Sequence, residues 1–521
     1  MGLEARNDPH TGIQFTSILR DYWPSIIQWL DFALNYGLIA LPASQLNAVI
    51  GNITNFLSSL TIPPFSPIEM MGDDFEGAVD LALRVWAGEF HRGEAMPYEH
   101  FYSLVFFFCR NLCEKDTAAM FVGALQAPTR ASSFFETCAA QITAYRNTLS
   151  ASDNSTKVAQ SLANVCNWHT RLLALISDNW DGAWRWVIKH KALLEHAKAL
   201  QTLVASPTAT SHWALTQIGL LVGKADCRPE HLLGKLLHLA RGDIIPALYG
   251  CLKAHDERSA EFATAQSLLK VLSAYLPYQA FAQAVSLSLS SYFSGSPIVP
   301  LGRCSHGWKV FVYLLARYYP VVATERRAYF AFACDNLNHL SCQNLHPGSS
   351  PSPTARRSCS GCRTVFYCSR ECQREDWESL HRSECRSAAT EREARRQGKQ
   401  WFAWGSRGDL ARAVLEFSNN SAELAQEKKW DNELSIVSWE KGMPTLVTPK
   451  RKKDCSRSSA HRQPHYVYPR LQALMRLPGN SSTRIIEGSF NHGTESIHVT
   501  ARLLRRKKGD YVYLHGVAMI R

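Results

Sequence analysis

Between Cys359 and Cys385 the chain reads CSGCRTVFYCSRECQREDWESLHRSEC, with five cysteines and one histidine in 27 residues. Thiolates and imidazoles are the ligands of Zn²⁺, and here they fall as three pairs. Cys359-x2-Cys362 is a knuckle, a tight turn that lets two sulfurs and nearby backbone N–H groups converge on one ion. Gly361 supplies the backbone freedom that such a turn needs. Cys368 and Cys372, and again His381 and Cys385, lie four residues apart, which on a helix puts both side chains on one face. Six ligands are too many for one tetrahedral ion and too few for two, so a fourth pair must come from elsewhere. Upstream, ACDNLNHLSCQNLH offers Cys334 first and Cys342 second, with His339 and His346 as competitors. The Pro/Ser-rich NLHPGSSPSPTARRS between these ligands and the knuckle can bulge outward without moving them. Two closed tetrahedral sites leave no position for water. That predicts two structural Zn²⁺ ions, each contributing folding free energy on the order of 10 kcal/mol, and no catalytic metal.

The segments that must position this cluster read differently on its two sides. Residues 1 to about 330 are one amphipathic stretch after another. In DYWPSIIQWLDFALNY, Ile26, Ile27, Leu30 and Leu34 share a face, with Asp21 read as the N-terminal cap and Pro24 in the first turn. Leu268, Leu272, Tyr275 and Leu276 repeat the 3.6-residue stripe. Breakers such as IPPFSP, SPTATS and GSPIVP separate the stretches. The pattern fits an irregular helical array of HEAT or armadillo type, although no fixed period emerges. Cys109, Cys113, Cys138 and Cys166 sit among Phe, Leu and Ala and read as small core residues. Beyond the cluster, EREARRQGKQWFAW continues as a charged helix and DLARAVLEF is helical, while Lys450 to Gln463 reads as a flexible polar loop. The period then changes to two: RIIEGSF, SIHVTARLLRR and YVYLHGVAMIR alternate around NHGTE and KKGD turns, with Ile497, Val499, Ala501 and Leu503 on one face. The expected architecture is mostly α: a helical scaffold over 1–330, a two-zinc finger over 331–386, and a C-terminal α+β segment over 387–521 that ends in a small antiparallel meander.

The second half of the cluster, YCSRECQREDWESLHRSEC, together with Cys-x2-Cys-x5-Cys-x3-Cys before it, resembles the MYND zinc finger. The resemblance implies interleaved ligation: Cys359, Cys362, His381 and Cys385 on one ion, Cys368 and Cys372 on the other with the upstream pair. That pair departs from the family's Cys-x2-Cys, being stretched to x7 between Cys334 and Cys342. MYND fingers are protein-interaction modules that bind short proline-containing peptides, often in transcriptional regulation, and the implied peptide contacts are Ser360, Gln373 and Trp377. A Trp face accepts a proline ring and Gln can bond an extended backbone; packing against the zinc core is the competing reading of Trp377. In layout the whole chain resembles fungal proteins that pair a helical N-terminal region with one such finger.

Two other classes fit less of the sequence. A SET-type lysine methyltransferase carrying a MYND finger needs a glycine-rich cofactor strand before the finger, and Asn-His-Ser-Cys and a cysteine triad after it. FNHGTES offers Asn-His alone, and NHG reads as a hairpin turn. Nucleic-acid binding could draw on the formal charge of +12 and on PKRKK and LLRRKK, but these runs lack interleaved aromatics. PKRKK reads instead as a nuclear import signal. No nucleotide loop, nucleophile elbow or H-E-x-x-H occurs. With no apolar run long enough to span a bilayer and no signal-peptide core in MGLEARNDPH, the expectation is a non-enzymatic adaptor of the nucleus or cytoplasm, with protein partners and no membrane.

Overall fold

The computed structural model describes residues 9–60, 75–87, 96–151, 155–205, 211–227, 231–293, 305–318, 334–338, 357–398, 400, 404–420, 433–439, 444–451, 467–477, 483–505, 509 and 511–520. They group into two compact units: residues 1–224 with 241–251, and residues 225–240 with 252–521.

The first unit is built from helices α1 (Pro9–Ala40), α2 (Ala43–Ser59), α3 (Phe75–Trp86), α4 (Tyr98–Leu112), α5 (Lys115–Leu125), α6 (Pro128–Ala151), α7 (Ser155–Asn179), α8 (Ala183–Lys189) and α9 (Ala192–Ala205). α2 packs on α4, α4 on α7, and α6 on both α7 and α9. The helices run from 7 to 32 residues, and that spread is why no sequence period appears. α4 illustrates the packing rule. Its Phe101, Leu104, Val105, Phe107 and Phe108 are all buried, and Trp86 meets Phe101 and Phe108 at 5.6 and 5.5 Å between ring centroids. The Trp86 indole N–H donates to the Phe134 carbonyl (3.1 Å), so the polar atom of this aromatic core is satisfied. Cys109, Cys138 and Cys166 are buried here as core residues, whereas Cys113, just past the end of α4, is exposed. α1 also departs from expectation. It runs straight through Pro24, and Asp21 lies inside it rather than capping it. A proline removes one backbone hydrogen bond from a helix, and the burial of Trp23 and Leu34 on either side holds the helix together across that gap.

α10 (Ser211–Cys227), α11 (Leu232–Arg241) and α12 (Ile244–Ala254) follow along the chain. The second unit then contains α13 (Ala260–Ser273), α14 (Gln279–Tyr292) and α15 (His306–Tyr318), the cysteine-rich segment, and a C-terminal sheet. α13 carries the predicted stripe, with Leu268, Leu269 and Leu272 buried, and Ser259 caps it by accepting the Phe262 N–H.

Within the cysteine-rich segment, strands β1 (Arg357–Ser358) and β2 (Phe366–Tyr367) pair antiparallel, and α16 (Arg370–Asp376) leads through a π turn (Trp377–His381) into α17 (Arg382–Gln397). α17 stops at Gly398, short of the longer charged helix that the sequence suggests. α18 (Trp404–Asn420) follows and contains the helical DLARAVLEF.

The sheet has the order β4–β3–β5–β6–β7, formed by β3 (Glu433–Ser438), β4 (Thr445–Arg451), β5 (Thr483–His492), β6 (Glu495–Arg505) and β7 (Tyr511–Ile520). β5, β6 and β7 are the expected meander, turning at Gly493, whose φ of 70° suits the two-residue loop between His492 and Glu495. Ile497, Val499, Ala501 and Leu503 are all fully or almost fully buried, and α18 packs on this sheet. The β3–β4 hairpin was not foreseen, and β3 runs parallel to β5. Lys450 and Arg451, expected in a loop, belong to β4. Pro449 is tolerated there because β4 is an edge strand with a register shift opposite Leu434 and Ile436. Trp439, just beyond β3, is fully buried, stacks on Phe490 at 4.4 Å and donates its N–H to the Tyr318 hydroxyl (2.9 Å). α19 (Tyr468–Arg476) lies against β7. No described helix is long and apolar enough to cross a membrane.

Candidate metal centre

The knuckle is shaped by its own backbone. Cys359 N–H donates to the Val365 carbonyl (3.1 Å), Arg363 N–H donates to the Cys359 carbonyl (2.9 Å), and Arg363 adopts a left-handed φ of 56°. A Cβ at Gly361 would stand 3.1 Å from the Cys385 sulfur, tighter than ordinary contact, so glycine lets the turn close over the cluster without displacing that ligand. Thr364 donates both its backbone N–H (3.4 Å) and its hydroxyl (3.1 Å) to the Cys362 sulfur. α16 begins at Ser369, whose hydroxyl accepts the Cys372 N–H (3.2 Å). The π turn then delivers His381 at the start of α17, with Cys385 one turn on. Wide turns of this kind recur where a helix must aim a functional side chain.

Two groups of ligand atoms result. Those of Cys359, Cys362, His381 and Cys385 all lie within 4.8 Å of one another, and so do those of Cys334, Cys368 and Cys372. This is the interleaving that the resemblance implies. The spacings test the fit to a metal. Metal–sulfur bonds of about 2.3 Å in a tetrahedron place the sulfurs roughly 3.8 Å apart. Cys359 and Cys385 are 3.7 Å apart, Cys334 and Cys368 3.7 Å, and Cys368 and Cys372 3.5 Å. A disulfide requires about 2.05 Å, and these cysteines are free thiols. The residues present therefore fit Zn²⁺. Cys342, His339 and His346, the candidates for the remaining ligand of the second group, lie outside the described residues.

In the first group Cys362 and His381 each shift toward the charged form, while burial and the neighbouring sulfurs push the Cys385 thiol up to about 12. Burial raises the Cys362 thiol, but hydrogen bonds from His381 and Thr364 outweigh it and bring the thiol down to about 6, toward the thiolate that a metal takes. Burial likewise lowers the His381 imidazole, and its contacts with Cys362 and then Glu384 reverse this, raising it to about 10. His381 Nε2 faces Cys362 at 3.4 Å while Nδ1 faces Glu384 at 3.5 Å. One nitrogen is thus presented to the site and the other is oriented by a carboxylate, as is usual for metal-bound histidine.

Sequence reasoning missed what holds this arrangement. Arg470 of α19 is only 4% exposed and donates to Asp376 (3.1 and 2.8 Å), to Glu384 (3.1 and 2.9 Å) and to the Asp335 carbonyl. Tyr367 adds a hydroxyl to Asp376 (2.7 Å). Arg407 of α18 pairs with the Asp335 carboxylate and donates to the Gly516 carbonyl (3.0 Å). Asp335 in turn clamps β2, donating its N–H to the Phe366 carbonyl and accepting the Phe366 N–H, both at 2.8 Å. Leu337 and Leu380 pack with Val467, Leu474, Val517 and Met519. Only the Asp of Asp-Trp carried a sequence signal; Arg470 sits in an ordinary helical stretch.

Of the three expected peptide contacts, Ser360 is exposed, Gln373 is half-buried, and Trp377 is 40% exposed with its ring centroid 5.8 Å from that of His381. Gln373 and Trp377 stand four residues apart, on one side of the helix.

Residues 341–385 match the family model described as MYND finger. The match covers the knuckle, both four-spaced pairs and Cys342, and begins after Cys334. The chain therefore carries a MYND finger, a zinc-binding protein-interaction module. No curated protein and no solved structure matches the chain.

Proposed function

We propose that this protein is a non-enzymatic adaptor whose finger holds two structural Zn²⁺ ions and captures short proline-containing peptides of partners in transcriptional regulation, on a face made by Ser360, Gln373 and Trp377. Cys359, Cys362, His381 and Cys385 hold one ion; Cys334, Cys368 and Cys372 hold the other, with Cys342 as the fourth ligand. When bound, the metal supplies folding free energy to a segment whose own apolar core is small. The observation that carries the peptide-binding reading is the exposure of Trp377. Its neighbours Asp376 and His381 are each 1% exposed, yet the indole keeps 40% of its surface open to solvent. An indole half-seated on a rigid support is a platform for a proline ring, and Gln373 one turn before it can bond the peptide backbone. The helical array serves as scaffold, and PKRKK as a nuclear import signal.

The test is a pull-down of proline-containing peptides by the full chain and its Trp377→Ala variant. The variant should keep its zinc and lose at least about tenfold in affinity, the typical effect of removing an aromatic anchor. Undiminished capture by the variant would remove the proposed face.

A further inference from the structure

Beside the knuckle lies an open pocket of about 440 Å³, lined by Ser360, Gly361 and Arg363 from the turn and by Arg392, Glu393 and Arg396 from α17. Its lining is mostly polar, with three guanidinium groups and one carboxylate. The carboxylate is already committed. Arg396 grips Glu393 through two hydrogen bonds (2.8 and 2.9 Å), and Gln397 adds a third (3.2 Å). Arg363 and Arg392 make no ion pair among the described residues. The pocket thus keeps two positive charges in excess, presented from two different elements toward one space.

Arg363 carries a second signal. Its φ of 56° lies in the region that glycine occupies without strain and a long side chain does not. This left-handed turn of the knuckle fixes where the Arg363 side chain leaves the backbone. The pocket also includes Ser360, one of the three residues of the proposed peptide face.

We propose that Arg363 and Arg392 form an anion subsite that receives an acidic group of the partner peptide, a carboxylate or a phosphate flanking its proline segment. The inference rests on the peptide-binding reading above and narrows it: the partner is acidic next to its proline. Guanidinium groups suit either anion, because their planar donors match two oxygens at once. The arginine supplies the charge for affinity and the fixed knuckle supplies its position, so the subsite selects among proline-containing peptides rather than binding anions at large.

The test uses the zinc-loaded full chain. Short random peptides are selected on it, and the best binder is resynthesised with its acidic residue as Glu, as Gln and as phosphoserine. The selection should enrich acidic residues, and the Glu peptide should bind about two- to fivefold more tightly than the Gln peptide, as for a partly exposed charge pair. In the Arg363→Gly, Arg392→Gln double variant that preference should collapse toward one. Arg363→Gly relaxes the backbone at this position, so retained zinc content shows that the knuckle is intact. The phosphoserine peptide decides the source of the anion: tighter binding than Glu assigns a phosphate, weaker binding a carboxylate. Equal affinity for Glu and Gln peptides, with Trp377→Ala still abolishing both, would overturn the subsite and leave the peptide face standing. An arginine-dependent preference that survives Trp377→Ala would keep the subsite and discard the proline platform. Binding of a short DNA duplex that is lost in the double variant, with no peptide selected, would overturn both readings in favour of nucleic acid.

Discussion

Replacing Arg470 tests whether the finger is built into the sheet or merely tethered to it. Arg470→Met keeps much of the side-chain volume but removes the one cation shared by Asp376 and Glu384, which are 1% and 4% exposed. Among the described residues, Asp376 would keep the Tyr367 hydroxyl at 2.7 Å and Glu384 the His381 contact at 3.5 Å. The Asp335 carbonyl would lose its donor as well. Breaking a buried pair from one side costs about 3–5 kcal/mol, because the remaining charge stays buried and unpaired. At about 1.4 kcal/mol per tenfold, amide hydrogen exchange across residues 357–398 should accelerate by roughly two to four decades. Zinc release to a chromophoric chelator should occur at lower urea, and the first unit should be unaffected. Neutralising the whole network with Arg470→Met, Asp376→Asn and Glu384→Gln should recover a large part of the loss, since a buried network replaced by neutral groups is tolerated far better than one left half-made. An Arg470→Met protein whose finger exchanges as slowly as wild type would refute the reasoning. So would a triple variant no better than the single.

The ligand assignment predicts that Cys362→Ser or His381→Ala lowers bound zinc by about one ion per chain while most far-UV helical signal survives, measured by elemental analysis and circular dichroism; unchanged zinc in either variant would exclude that residue as a ligand. A separate prediction concerns the buried pair in the first unit, His169 and His196, whose Nδ1 atoms are 3.2 Å apart. Burial lowers His169 to about 3, and burial together with the neighbouring imidazole lowers His196 well below its usual value. Both stay neutral in the fold while the unfolded chain takes up protons below about pH 6.5, so stability should be flat above that pH and fall by about 1.4 kcal/mol per unit per histidine below it. A His169→Asn, His196→Asn variant should show a shallower slope in urea melts taken from pH 6.5 downward, and an identical slope would sink the claim.

What was legible in the sequence was whatever local spacing dictates. A Cys-x2-Cys turn converges two sulfurs and a four-residue interval stacks two ligands wherever the segment lies, so Cys359, Cys362, Cys368, Cys372, His381 and Cys385 declared themselves. The alternation of Ile497, Val499, Ala501 and Leu503 announced β6 in the same way. Features that depend on contacts between distant residues were illegible. Arg470 meets Asp376 and Glu384 across 94 and 86 residues, and nothing in YPRLQALMR marks it as the centre of a buried network. The β3–β4 hairpin was masked by Pro449, which argues against a strand until the edge position and the register shift are known. Pro24 misled in the opposite sense, because tertiary packing carried α1 through a residue that would end an isolated helix.

The way the finger is anchored decides which of its surfaces a partner can reach. Leu337 and Leu380 are taken up by α19 and β7, and Asp335, Asp376 and Glu384 face Arg407 and Arg470. Those groups are spent on the fold. Cut from the sheet, the segment would expose apolar side chains and three acidic groups without their cations, so the isolated finger is a poor surrogate for the protein in any binding assay. Among the side chains left exposed, Ser360, Arg363 and Trp377 come from the knuckle and the π turn, the two places where the backbone is held by the ligands themselves. On the proposed reading, metal loading and partner recognition are mechanically linked: the same turns that gather the sulfurs also set the positions of Ser360, Arg363 and Trp377.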